Sequence, residues 1–187
     1  MRRALVVDDE SLLRRQVAEI LDHYGFDEIL EAGDGSRALE LIRHQEILLV
    51  VMDIGMPGVD GITTAEKIGK IRPTPVVLLT ATADSATVER ARHAGVMNFV
   101  VKPVRAEQLL VAVDLAIHQF VELASLRDEV GKLRETLETR KLLDRAKGLL
   151  MRRGMDEPSA FRRLQKLAMD KRKSLREVAE AILLTED

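Results

Sequence analysis

Four segments of this 187-residue sequence end an apolar run on a side chain that can do chemistry. Asp8 and Asp9 follow Ala4 to Val7, and Asp53 follows Leu48 to Met52. Thr80 follows Val76 to Leu79, while Lys102 follows Phe99 to Val101 and precedes Pro103. One aspartate at the end of an apolar run is more often a turn or cap residue than a functional one. Convergence changes that reading: if the runs are parallel strands, all of these side chains meet at one edge of a sheet, where open α/β sheets hold their ligands. Asp53 is then a candidate nucleophile or metal ligand. Asp8, Asp9 and Asp53 gathered near one point repel unless a cation neutralises them, and hard carboxylate oxygens favour Mg²⁺, which also bridges phosphoryl oxygens.

The elements that must position these residues follow from the apolar periodicity. Leu48 to Met52 is apolar without alternation, as in a strand covered on both faces, and Gly55, Pro57, Gly58 and Gly61 turn the chain directly after Asp53. Strands are expected at Ala4 to Val7, Glu28 to Glu31, Leu48 to Asp53, Val76 to Thr80 and Asn98 to Val101. Helical stripes lie between them: Leu12, Val17, Ile20 and Leu21; Ala38, Leu39, Leu41 and Ile42; Ile62, Ala65 and Ile68; Val88, Ala91 and Ala94. This alternation predicts a five-stranded, doubly wound parallel sheet of the α/β class with helices on both faces.

The set Asp8-Asp9, Asp53 with Met56-Pro57 and Asp60-Gly61, Thr80-Ala81 and Lys102-Pro103 resembles the receiver domain of two-component response regulators, over roughly residues 1 to 120. The resemblance implies a flavodoxin-like strand order 2-1-3-4-5, a sensor histidine kinase as partner, and Asp53 as phosphoacceptor. It further implies Mg²⁺ held by Asp9 and Asp53, by Asp8 through water, and by the backbone carbonyl of Gly55. Lys102 would stabilise transferred charge and be joined to Pro103 by a cis bond. Thr80 would follow the phosphoryl group, and Phe99 would change rotamer as the switch. Phe99 lacks the hydroxyl of the tyrosine found in many relatives, and a buried core phenylalanine is the other reading of this position.

Beyond Pro103 the pattern changes. No proline occurs from Ala106 to Arg153, so one long helix or two nearly continuous ones are expected. Leu109, Val113, Ala116, Phe120 and Leu123, then Leu126, Val130, Leu133 and Leu137, form a heptad-like seam with a three-residue step between Leu123 and Leu126. A dimerisation helix and a connector packed on its own chain both fit. Three helices then follow: one carrying Leu142, Leu143, Ala146, Leu149 and Leu150 and stopping at Gly154; one opened by Asp156 and Pro158 and lined by Phe161, Leu164, Leu167 and Ala168; and one started by a Ser174/Glu177 capping box. The expected division is 1–120, a helical linker 121–137, and a small three-helix all-α domain 138–187.

Formal charge is -2 for the whole chain, yet Thr139 to Arg176 holds 13 Lys+Arg against 4 Asp+Glu, or +9. A partner made of phosphates suits such a segment. Glu138-Thr-Arg-Lys, Asp144 to Met151, Ala160-Phe161, Ala168-Met169, Arg172-Lys-Ser174 and Val178-Ala179 are similar to the ANTAR domain, an RNA-binding output module of antitermination regulators. That resemblance implies binding to RNA hairpins in transcripts. Candidate contacts are Arg140, Lys147, Arg152, Arg153, Arg162, Arg163, Arg172 and Lys173. Phe161 lies on the apolar stripe, which favours core packing over base stacking. Ala146 and Gly148, small residues beside Lys147, either admit close approach of nucleic acid or ease helix packing. A DNA-binding or protein-binding tail is the alternative output; the short third helix, acidic at its end, does not look like a recognition helix.

Other classes fit less well. An aspartate-nucleophile phosphatase needs a second carboxylate at position 55, which is glycine, so an enzyme is not expected. His23, His44, His93 and His118 show no metal-ligand spacing. With no cysteine, a short apolar run behind Met1-Arg2-Arg3 and no eighteen consecutive apolar residues, a cytoplasmic protein without a membrane span is expected, homodimeric at least when phosphorylated.

Overall fold

A computed structural model describes residues 1–82 and 84–184. The chain runs β1 (Arg3–Val7), α1 (Ser11–Tyr24), β2 (Glu28–Ala32), α2 (Gly35–His44), β3 (Leu49–Asp53), α3 (Gly61–Ile71), β4 (Val76–Thr80), α4 (Ser85–His93), β5 (Asn98–Val101), α5 (Ala106–Arg152), α6 (Glu157–Lys171) and α7 (Leu175–Leu183). It divides into two compact units, Met1–Ala124 and Ser125–Asp187.

In the first unit the strands are parallel in the order β2-β1-β3-β4-β5. Successive residues of a strand face opposite sides of the sheet, so each strand feeds two cores. Ala4, Val6, Leu49, Val51, Val77 and Leu79 pack with Val17, Leu21, Leu109, Val113 and Ala116 of α1 and α5. Leu5, Val7, Val50, Met52, Val76 and Leu78 pack with Ala38, Ile42, Ile62, Ala65 and Ile68 of α2 and α3. Leu12, expected on the inner stripe of α1, is 74% exposed; it lies in the first turn, ahead of the residues that meet the sheet. Helix α2 starts at Gly35 because Asp34 caps it, accepting from the Arg37 backbone N–H.

Strand register sets the functional edge. Val7 pairs with Met52, so Asp8 and Asp53 emerge side by side. Asp53 pairs with Leu79 and Thr80 with Val101, which brings Thr80 and then Lys102 to the same rim. The Lys102–Pro103 peptide is cis, as expected.

In the second unit Ala146, Leu150, Ala160, Leu164, Ala168, Val178 and Ala179 form a separate core. The first of the three expected helices is not a separate element: α5 continues without a break to Arg152 and ends where Gly154 takes a φ of 94°. Asp156 caps α6, and Ser174 and Glu177 form the expected reciprocal box at α7, with Glu177 N–H to Ser174 Oγ at 3.2 Å and Ser174 N–H to Glu177 Oε2 at 2.8 Å.

One exclusion drawn from the sequence does not hold as stated. Helix α5 contains an 18-residue window of mean hydropathy 1.7, long and apolar enough to cross a membrane by composition alone. Counting uninterrupted apolar runs missed it, because scattered charges break the run without lowering the average enough. Leu109, Ala112, Val113 and Ala116 of this helix pack into the sheet core.

Candidate functional site

Asp8 and Asp53 are buried, at 0% and 5% exposure, while Asp9 is open to solvent. One carboxylate oxygen from each of the three can be chosen so that all lie within 4.8 Å of one another. The Lys102 ammonium bridges the two buried members, 2.7 Å from Asp53 Oδ1 and 3.2 Å from Asp8 Oδ2. Burial raises the pKa of Asp8 against the opposing pull of its bonds from the Glu10 N–H (2.8 Å) and Lys102. For Lys102 burial acts downward, but the hydrogen bonds and charges of Asp53 and Asp8 outweigh it and the ammonium is raised.

Three carboxylates, two of them buried, against one ammonium leave a formal excess of negative charge at the rim. An octahedral oxygen shell with bonds of about 2.0–2.1 Å spans about 4.2 Å across. The Asp8, Asp9 and Asp53 carboxylates offer hard oxygen donors gathered on that scale, a set that suits Mg²⁺. Gly55 lies beside this set; a Cβ there would stand 3.3 Å from Asp53 Oδ2.

Asp60 and Gly61, which belong to the receiver resemblance, support the rim through contacts that the sequence does not show, and Arg90 and Arg14 join them. Gly61 opens α3 so close to the end of β3 that a Cβ would fall 2.1 Å from the Asp53 carbonyl oxygen, so any side chain would push the helix off the strand. Asp60, the cap of α3, accepts from the Thr63 N–H at 2.7 Å and pairs with Arg90 of α4 at 2.6 Å. Burial opposes ionisation of Asp60, but these donors win and its pKa is lowered. Arg90 carries no local signal because its partner is thirty residues away in sequence. Arg14 also reaches the rim, donating to the Asp8 carbonyl at 2.8 Å while pairing with Glu31 at 3.2 Å.

Thr80 is 5% exposed, and its hydroxyl donates to the Thr82 carbonyl and accepts from the Thr82 N–H at 3.2 Å, so it is turned to its own loop. Phe99 is 38% exposed, which removes the buried-core reading for this conformation: its neighbour Val100 takes the inward position of β5 and Phe99 the outward one.

The candidate cations of the second unit sort into groups. Lys147 bridges α5 and α6, 3.0 Å from both Asp144 and Glu157, and is committed to the fold. Lys173 pairs with Glu177 at 3.6 Å. Arg140, Arg153, Arg162, Arg163 and Arg172 are exposed and, among the described residues, make no ion pair; Arg152 is also exposed. Arg172 has a φ of 52°, the single positive value among described non-glycine residues. It ends α6 with its N–H on the Met169 carbonyl (3.2 Å) and the Lys173 N–H on Ala168 (3.0 Å). Phe161 corrects the expectation of core packing: it is 37% exposed, because the buried stripe of α6 runs Ala160, Leu164, Ala168 and leaves residue 161 at its rim. Ala146 is fully buried and serves packing, whereas a Cβ on Gly148 would meet nothing within 4 Å.

Comparison with known proteins places both halves. The response regulator receiver domain family matches residues 4–114, and the ANTAR domain family matches residues 131–183. The transcriptional regulatory protein PdtaR of Mycobacterium tuberculosis is 46% identical over 185 residues, covering 98% of this chain and 90% of that protein. The chemotaxis protein CheY of Bacillus subtilis is 34% identical over 117 residues, 62% of this chain and 98% of that protein. Among solved structures, a CheY-like response regulator receiver domain protein from Methanospirillum hungatei superimposes with a TM-score of 0.61 at 25% identity, covering 65% of this chain and 98% of its own.

Proposed function

This chain belongs to the response regulator receiver domain family and carries an ANTAR domain in its second half, and we propose that it accepts a phosphoryl group on Asp53 and in response binds hairpins in RNA transcripts to oppose termination. The observation that carries the first part is the contact of Lys102 Nζ with Asp53 Oδ1 at 2.7 Å inside a buried carboxylate cluster. The donor is a phosphohistidine of a sensor histidine kinase. An Asp53 oxygen attacks phosphorus, the new P–O bond forms as the P–N bond breaks, and the imidazole leaves with the electron pair and takes up a proton. Asp8, Asp9, Asp53 and the Gly55 carbonyl would hold Mg²⁺, which supplies positive charge to the phosphoryl oxygens when bound.

Lys102 is already in place to follow the transferred charge, because its ammonium needs only to pass from the Asp53 carboxylate to a phosphoryl oxygen. Thr80 gives up its bond to the Thr82 carbonyl and donates to the phosphoryl group, and Phe99 moves inward from its exposed position. Support for RNA as the output comes from the ANTAR match and from the net +9 of Thr139 to Arg176, in which Arg140, Arg153, Arg162, Arg163 and Arg172 are exposed. A cytoplasmic location follows from this partnership with transcripts.

A gel shift tests both halves. A hairpin transcript is titrated with the protein, with and without a small-molecule phosphodonor and Mg²⁺, beside single-stranded and duplex DNA. Tighter RNA binding on phosphorylation, lost in Asp53→Ala, is the expected result. Equal binding to DNA and RNA, or none, would move the output to another partner.

A further inference from the structure

We propose that the first unit carries a second binding site, at the end of the sheet opposite Asp53, for a small carboxylate with an apolar body. It depends on neither phosphorylation nor RNA. Three of the residues around it stand directly before strands: Arg2 before β1, Leu48 before β3 and Pro75 before β4. With Phe26, and with Phe120 and Val121 of α5, they line a cavity of about 270 Å³. That is just below the roughly 300–1,000 Å³ of sites for drug-sized ligands, the scale of a short acyl chain or a single ring. Water gains little there. Pro73 and Pro75 have no N–H, the Leu48 N–H is spent on the Arg3 carbonyl at 2.9 Å, and the Pro75 carbonyl accepts from the Val50 N–H at 3.0 Å. Every lining side chain except Arg2 is a hydrocarbon, and apolar cavities of this kind stay dry and take up apolar molecules.

The charged lining residue selects the anion. The Arg2 guanidinium lies over the Tyr24 and Phe26 rings, 5.7 and 5.0 Å from their centres, which holds it beside the cavity. It donates to the Gly25 carbonyl at 3.3 Å and to the Tyr24 hydroxyl, and among the described residues it makes no ion pair. The carboxylates around it are committed elsewhere. Asp27 holds the backbone N–H of Arg2 and the Met1 ammonium, Glu28 holds Arg3, and Asp114 accepts from the Tyr24 hydroxyl. A guanidinium carries five N–H donors in a fork that matches a carboxylate, so donors remain for a ligand. A neutral apolar molecule would leave that charge unused, and an ammonium would be repelled. Leu48 at 49% and Val121 at 61% exposure leave the entry open. Because Ile117, Phe120 and Val121 belong to α5, a bound ligand would tie that helix to the strand ends at Leu48 and Pro75.

The test uses the full-length chain and octanoate as the probe, with affinities from titration calorimetry. Tyr24 is the only tyrosine and the sequence has no tryptophan, so near-ultraviolet circular dichroism reads the ring beneath Arg2. Octanoate should bind saturably, change that signal and raise the melting temperature. Each buried methylene is worth about fourfold, so hexanoate should bind on the order of fifteenfold more weakly. Arg2→Gln should weaken octanoate binding by about tenfold or more. Octanol, which has the chain without the charge, should bind the parent more weakly than octanoate does and should bind parent and Arg2→Gln alike. Val121→Glu, at an exposed position, should set a carboxylate at the entry and abolish octanoate binding. Melting curves without ligand establish that both variants fold. No saturable binding of octanoate to the parent, equal affinity for octanoate and octanol, or octanoate affinity unchanged in either variant would overturn the proposal.

Discussion

Replacing Arg172 by glycine should make the protein more stable and a worse RNA binder at once. Arg172 closes α6 at a φ of 52°, where an L side chain costs about 1–2 kcal/mol and glycine costs nothing sterically. Glycine loses more chain entropy on folding, which takes back roughly 0.5–1 kcal/mol, so the net gain is about 0.5–1 kcal/mol. The side chain is exposed and makes no ion pair among the described residues. Strain held at an exposed residue in a basic segment points to a ligand that uses the guanidinium. A charge-assisted hydrogen bond of about 1.5–3 kcal/mol would make Arg172→Gly bind RNA at least about tenfold more weakly. The slope of log affinity against log salt should also fall by about 0.7–0.9. Urea unfolding followed by circular dichroism and RNA titration at several salt concentrations give the two numbers. Arg172→Asn, which tolerates the left-handed backbone but lacks the charge, should match glycine in binding. If Arg172→Gly is destabilised, the backbone reasoning fails; if its affinity and salt slope are unchanged, the strain serves something other than RNA.

Other expectations are shorter to state. Asp53→Asn or Asp8→Asn should raise the melting temperature of the metal-free protein by relieving carboxylate repulsion in the rim, and abolish the stabilisation that Mg²⁺ gives the parent, about 1.4 kcal/mol at ten times its Kd; a parent indifferent to Mg²⁺ would count against the site. Asp60→Ala removes a helix cap and the Arg90 bridge and should cost about 1–2 kcal/mol at neutral pH. Because the folded pKa of Asp60 is lowered, its contribution is complete above about pH 4 and disappears as pH falls through the folded value, so the variant and parent should converge in acid melts. Gly148→Ala should stabilise α5 by about 0.5–1 kcal/mol, since a Cβ there meets nothing, and RNA affinity should drop if transcript packs against that bare turn. Phe161→Leu should leave the fold intact while weakening binding to a hairpin with an open loop, measured against the same stem closed by a non-nucleotide linker.

Most of the carboxylate rim was legible because each of its residues is local punctuation on a strand. Asp8, Asp53, Thr80 and Lys102 all stand where an apolar run stops, and parallel register alone brings such positions together. What stayed hidden depends on pairs distant in sequence. Arg90 looks like any solvated arginine until α4 is set beside the cap of α3. Gly61 looks like a turn glycine until the Asp53 carbonyl is found against it. The Phe161 expectation failed for a related reason: a stripe identified by spacing is about a hundred degrees wide, and a residue at its rim is buried only if a neighbouring element reaches that far.

The same reasoning separates the cations of the tail, which sequence weighs equally. A basic segment must hold itself together before it can hold a phosphate chain, and it uses some of its charge to do so. Lys147 joins Asp144 on its own helix to Glu157 on the next, and Lys173 leans on the capping glutamate of α7. Removing Lys147 should therefore loosen the contact between α5 and α6 and weaken RNA binding only as far as the fold is weakened, with little change in salt slope. Removing an arginine that makes no ion pair among the described residues, such as Arg162 or Arg172, should leave the fold and lower the slope. If Lys147→Ala instead lowered the slope by as much as Arg172→Gly while melting like the parent, the ion pairs to Asp144 and Glu157 would have to open on binding, and Lys147 would return to the RNA face.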